Sequence, residues 1–97
     1  MYIVRESFTA KPGMASKLAK LMKEITSDPK MTTRVKTKVM TDSVGNFNTV
    51  VMETEVAEFS EFEKMMKEYA SRTDIHEKMK GYTDMYVTGK REIFQLV

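Results

Sequence analysis

His76 is the only histidine among 97 residues, so it is the only side chain whose unperturbed pKa suits proton transfer near neutrality. Two readings are open for it: a proton carrier, or an exposed residue beside Glu77 on a short helix. Glu6 is the second candidate. It shares one side of an alternating stretch with Val4, Phe8 and Ala10, so its carboxylate is expected to be partly buried and to need a partner. Arg72, Tyr69, Tyr82 and His76 are the candidates for that partner. A carboxylate so placed serves either as a general base or as half of a structural ion pair. Glu53 and Glu55 project together from another strand, but Lys36 and Lys38 on its neighbour can pair with them without any chemistry.

The remaining residue types narrow the field. The chain has no cysteine, which removes disulfides, thiolate nucleophiles and zinc-thiolate sites. No two histidines or carboxylates stand at metal-ligand spacing, and there is neither a phosphate-binding glycine loop nor a nucleophile elbow, so no cofactor and no metal are expected. Sixteen basic against fourteen acidic side chains leave a net charge of +2 with the signs interspersed, which is not the footprint of a nucleic-acid binder. No window approaches the roughly 18 apolar residues that span a bilayer, and a cytoplasmic protein without a membrane partner is expected.

Those candidates must be positioned by a small set of elements. Tyr2, Val4, Glu6, Phe8 and Ala10 alternate with Ile3, Arg5, Ser7 and Thr9, which predicts a first strand stopped at Lys11-Pro12-Gly13. Met14, Leu18, Leu21, Met22 and Ile25 share one stripe and predict a helix that ends near Thr26, where Ser27-Asp28-Pro29 breaks it. A second strand is expected over 32–41. A hairpin loop follows over 42–46, and a third strand from about Phe47 to Val56 pairs antiparallel with the second. Ser60-Glu61-Phe62-Glu63 matches a capping box, opening a helix whose Phe62, Met65, Met66 and Tyr69 lie on one face. A short helix is expected over 75–80 with Asp74 as its N-cap and Gly81 as its stop. Residues 82–87 read as a fourth strand and, after a turn at Thr88-Gly89-Lys90, residues 91–97 as a last one.

The order β-α-β-β-α-β with an extra C-terminal strand is an α+β, ferredoxin-like fold: one domain over 1–97, with helices on one face of an antiparallel sheet. Two helices cover one face only. The other is expected to carry Val51 with Ile3 or Val4 and Val35 or Met40, and a second copy of the chain is the economical cover.

On the first strand with its Lys11-Pro12-Gly13 stop, the hairpin strand from Gly45 to Val56, and Gly89-Lys90-Arg91-Glu92-Ile93-Phe94, the chain resembles the dimeric α+β barrel superfamily. Within it, the chain is similar to small NIPSNAP-like and antibiotic-biosynthesis-monooxygenase-like bacterial proteins. The resemblance implies two sheets facing each other across a dimer axis, with a cleft between sheet and helices in each subunit. A small-molecule ligand would lie in that cleft against Phe8, Met52, Met66, Tyr69, Arg72 and Tyr82, with Glu6 or His76 moving a proton if the protein is an enzyme. The haem-degrading branch fits poorly. It pairs a first-strand asparagine with a histidine and a tryptophan, whereas this chain has Glu6 at the strand position and no tryptophan. Two readings stay open: a homodimeric small-molecule-binding protein, and a cofactor-free monooxygenase-like enzyme. RNA binding, which the same strand order also serves, lacks the aromatic stacking residues over 48–52.

Overall fold

β1 (Tyr2–Ala10) turns Val4, Glu6, Phe8 and Ala10 to one side, as alternation requires, in the computed structural model that describes residues 1–97. It is followed by α1 (Ala15–Thr26), β2 (Lys36–Thr41), β3 (Thr49–Val56), α2 (Phe59–Ser71), α3 (Thr73–Lys78), a 3-10 turn (Tyr82–Asp84) and β4 (Tyr86–Gln95). The four strands form one antiparallel sheet in the order β2-β3-β1-β4. This is the expected ferredoxin-like α+β order.

The inner face of the sheet supplies the core. β3 buries Val50, Met52, Thr54 and Val56 while Thr49, Val51, Glu53 and Glu55 stand on the other side. Val4, Val56, Phe62, Met65 and Ile75 pack at one end of the sheet, and Ala10, Leu18, Met22, Val50 and Met52 at the other. Leu18, Val4, Val50 and Val56 are fully buried, each contributing about 1.5–3 kcal/mol of apolar transfer. Thr54, the one buried polar residue, satisfies its hydroxyl against that of Thr37 at 2.9 Å.

The elements depart from the sequence expectations in four places, each with an identifiable cause. β2 begins at Lys36 rather than residue 32, because the Thr32 and Thr33 amides donate to the Glu68 carboxylate at 2.7 and 2.8 Å and are lost to the ladder. The capping box lies two residues earlier than Ser60-Glu63. Glu58 is the N-cap, and the Glu61 carboxylate accepts the Ala57 and Glu58 amides, both at 3.0 Å, closing the strand-to-helix corner as soon as β3 ends. α3 starts at Thr73, so Asp74 lies in its first turn instead of capping it, and its carboxylate is drawn to Arg72.

The largest departure is at the C-terminus. Residues 82–87 and 91–97 are not two strands: Tyr82–Asp84 is a 3-10 turn after Gly81, and Tyr86–Gln95 is a single strand, so the extra C-terminal strand is absent. Gly89 continues the ladder opposite Phe8 rather than turning the chain. A Cβ there would stand 2.9 Å from Phe8 Cδ1, so the missing side chain makes room for the Phe8 ring.

The outer face differs from the greasy surface expected of it. Ile3 and Phe94 pair across β1 and β4, and Met40 and Val51 across β2 and β3. Between them runs Lys38, Glu53, Arg5, Glu92, one residue from each strand in alternating sign. Arg5 closes on Glu53 at 2.7 Å. Lys36 and Lys38 do stand opposite Glu55 and Glu53, as expected, yet the close ion pair of Glu53 is with Arg5.

Candidate functional site

Between the inner face of the sheet and the helices lies a cavity of about 460 Å³, within the range of small-molecule sites. Each wall follows from an element already described. β1 and β3 send in Glu6, Phe8 and Met52 by strand alternation; α2 adds Met66 and Tyr69 from its inner stripe; α3 contributes His76 and the 3-10 turn Tyr82. Every candidate from the sequence except Arg72 therefore meets at one cavity. Methionine dominates the lining: Met22, Met52, Met65, Met66 and Met79 are five of the chain's ten.

Glu6 takes a partner that the sequence reading did not name. Arg91 stands opposite it in the β1–β4 register, and its Nη2 donates to Glu6 Oε2 at 3.0 Å. The carboxylate side chain is 18% exposed and the guanidinium side chain 44%. Arg91 also lies over the Phe62 ring, 5.2 Å from its centroid, and so bridges the edge strand to α2. The signal was present in the sequence: once residues 86–95 are one strand antiparallel to β1, Arg91 falls directly across from Glu6.

Arg72 points elsewhere. Its guanidinium donates to Asp28 at 2.8 Å and to Asp74 at 2.6 Å, tying the start of α3 to the turn after α1. Asp74 is held down to about 2 by the Arg72 guanidinium. Asp28 is lowered chiefly by the Lys30 amide it accepts, with Arg72 adding to it, and Arg72 is itself pushed further above its ordinary range by Asp74 and Asp28. This is a clamp that holds α3 against the fold, and α3 is the element that carries His76. His76 itself is exposed, at the rim of the cavity.

Two phenols complete the polar part of the lining. Burial raises the pKa of Tyr69, with the negative charges of Glu68, Asp28 and Glu6 adding to it. Burial likewise raises Tyr82, which stands near Tyr86 and Glu6. Both therefore remain protonated donors at neutral pH. The Tyr86 ring packs against Tyr82 and Phe8, with centroids 5.9 and 4.9 Å away. No three His, Cys, Asp or Glu side chains gather into a metal-binding group, and no helix is long and apolar enough to cross a membrane.

Comparison with known proteins places this geometry in a recognised fold. No protein-family model matches the sequence. A search of curated proteins also found no match. Solved structures do match. An uncharacterized NIPSNAP domain protein from Burkholderia xenovorans superposes over 100% of this chain and 95% of its own, with a TM-score of 0.81 at 11% identity. The chain has the fold of these proteins. A NIPSNAP family protein from Agrobacterium tumefaciens matches over 100% of this chain and 94% of its own, with a TM-score of 0.78 at 13% identity. A structure described as an antibiotic biosynthesis monooxygenase covers 100% of this chain and 99% of its own, with a TM-score of 0.71 at 11% identity. The resemblance read from the sequence thus holds for the ferredoxin-like fold, and identities this low carry the likeness no further than that.

Proposed function

We propose that the chain is a homodimeric protein that binds a small, mostly apolar molecule between its sheet and helices. One observation carries the reading: about 460 Å³ of space lined by methionine and aromatic side chains, with a carboxylate, a guanidinium and two phenols converging on it. A wall of thioethers adapts to different shapes, while the few polar groups fix an orientation. Isotopic labelling of the methionine methyl groups supplies a direct test. Addition of a ligand should shift the resonances of Met22, Met52, Met65, Met66 and Met79 and leave Met40, on the outer face, unmoved.

The homodimer is supported by the outer face. Ile3 with Phe94, and Met40 with Val51, offer apolar area on either side of the charged row. A two-fold axis parallel to the strands would set the row against its own reverse, Lys38 against Glu92 and Glu53 against Arg5, so that every position meets the opposite sign. The reading includes a cytoplasmic home for a chain with no disulfide to form.

A second reading, a cofactor-free monooxygenase-like enzyme, is favoured by one feature: Glu6 and His76 line the same cavity. An aromatic or similarly activated substrate would lose a proton to one of them, and the resulting carbanion would reduce dioxygen, leaving one oxygen atom in product and one in water. Oxygen uptake that depends on Glu6 would establish this reading; binding without uptake leaves the first.

A further inference from the structure

We infer that the cavity selects uncharged ligands, apolar molecules with a single hydroxyl or amide group that docks beside Glu6 and Arg91. The inference rests on the reading that the cavity holds a small molecule, and adds the charge rule for that molecule. Glu6 and Arg91 are the two charged residues of a lining that is otherwise mostly thioether, aromatic and aliphatic, and they already neutralise each other at 3.0 Å. A ligand carboxylate at Arg91 would either displace Glu6, whose mostly buried carboxylate would then lack a counter-ion, or share the guanidinium with it and set two negative charges against one positive. A ligand ammonium would either displace Arg91 from Glu6 or share the carboxylate with it, with the converse result. Either ion brings an odd charge into apolar surroundings.

A hydroxyl or amide avoids this. The pair is single-pronged, one guanidinium nitrogen on Glu6 Oε2, so a neutral group can donate to the other carboxylate oxygen or accept from another guanidinium N–H without breaking it. Tyr69 and Tyr82, held as neutral phenols by burial, add donors and no charge.

The test titrates methionine-methyl-labelled protein at pH 7 with 1-decanol, decanoate and decylammonium, each below its micelle concentration, and reads affinities from the five cavity methionines. In the wild type decanol should bind at least ~10-fold more tightly than either ion. Glu6→Gln leaves Arg91 without its counter-charge and should turn the preference to decanoate; Arg91→Gln should turn it to decylammonium. Should one variant fail to fold, the other and the wild-type order still decide. Equal affinity of the wild type for decanol and an ion overturns the charge rule while leaving ligand binding standing. So does an unchanged order of preference in the folded variants. No shift at the five methionines with any of the three compounds instead overturns the binding reading, and the charge rule with it.

Discussion

Replacing Gly89 with alanine tests whether the cavity is open space, because the structure dictates where the added methyl group must push. The new Cβ would stand 2.9 Å from Phe8 Cδ1 and 3.1 Å from Cε1, whereas carbon atoms rest at about 3.5–4.0 Å, so the ring must retreat by at least ~0.5 Å. Phe8 lines the cavity, and retreat from β4 carries its ring into that space. In a closed core, forced displacement of this kind costs about 1–3 kcal/mol. Here the ring has somewhere to go, and removing a glycine from the interior of a strand returns about 0.5–1 kcal/mol. With the ring free to retreat the clash costs less than in a closed core, and the glycine term offsets part of it, so stability should change by less than ~1 kcal/mol. For a domain of this size each kcal/mol is about 4–8 °C in Tm, so thermal unfolding followed by circular dichroism should show a shift below about 8 °C. Protein concentration must be held constant, since the proposed dimer would make Tm concentration-dependent. A fall well beyond 10 °C would mean that the ring cannot move and that the space beside it is packed shut. The same variant narrows the cavity, so ligand affinity should fall even where Tm does not.

Val51→Asp should leave the subunit folded, because Val51 lies on the outer face, yet dissociate the proposed dimer; an unchanged sedimentation coefficient would remove that face from the interface. Glu68 is held down to about 2 from 4.5 by the Thr32 and Thr33 amides. Its folded-state value is depressed, so its contribution is complete above pH 4.5 and is lost as pH falls toward 2. Glu68→Gln should therefore flatten the loss of stability across that window, and parallel acid unfolding curves for variant and wild type would refute the assignment. Glu6→Gln should preserve both fold and dimer, because glutamine can still accept from Arg91; a large loss of Tm would make Glu6 a structural residue rather than a site residue.

Much of the architecture was legible because period-two and period-3.6 patterns report directly on which face is covered. β1, β3 and the stripes of α1 and α2 needed nothing else, and they bring Glu6, Phe8, Met52, Met66 and Tyr69 to one place. The misreadings at β2, at β4 and of Arg72 share a cause: long-range partners override local signals. Thr32 and Thr33 have strand-like composition, but Glu68, thirty-five and more residues away in the chain, takes their amides. Thr88-Gly89-Lys90 has the composition of a turn, yet β1 offers an unbroken ladder and Phe8 needs the missing Cβ. Dividing β4 in two concealed Arg91, and with it the true partner of Glu6. Arg72 was misplaced for the same reason. A cation near the end of α2 is equally close in sequence to the cavity and to Asp74, and only the folded chain brings Asp28 within 2.8 Å.

The two kinds of wall in the cavity are built by devices of different stiffness, and this bears on the ligand we propose for it. Glu6 and Arg91 are placed by the β1–β4 ladder, whose backbone hydrogen bonds fix the register, and Arg91 is further held over Phe62. The backbone of these two residues cannot move to meet a ligand without sliding the whole pairing, and the ion pair and the Phe62 ring restrain where their side chains go. The apolar wall comes largely from methionines on α1, on α2 and just beyond α3, each with three rotatable bonds and a polarizable sulfur. Those residues can repack around ligands of different outline at little cost. The proposed discrimination by charge and a tolerance of shape would therefore follow from one architecture. Ligands that differ in ring number or branching should bind with similar affinity so long as they are neutral, whereas ionising a ligand of fixed shape should weaken it sharply.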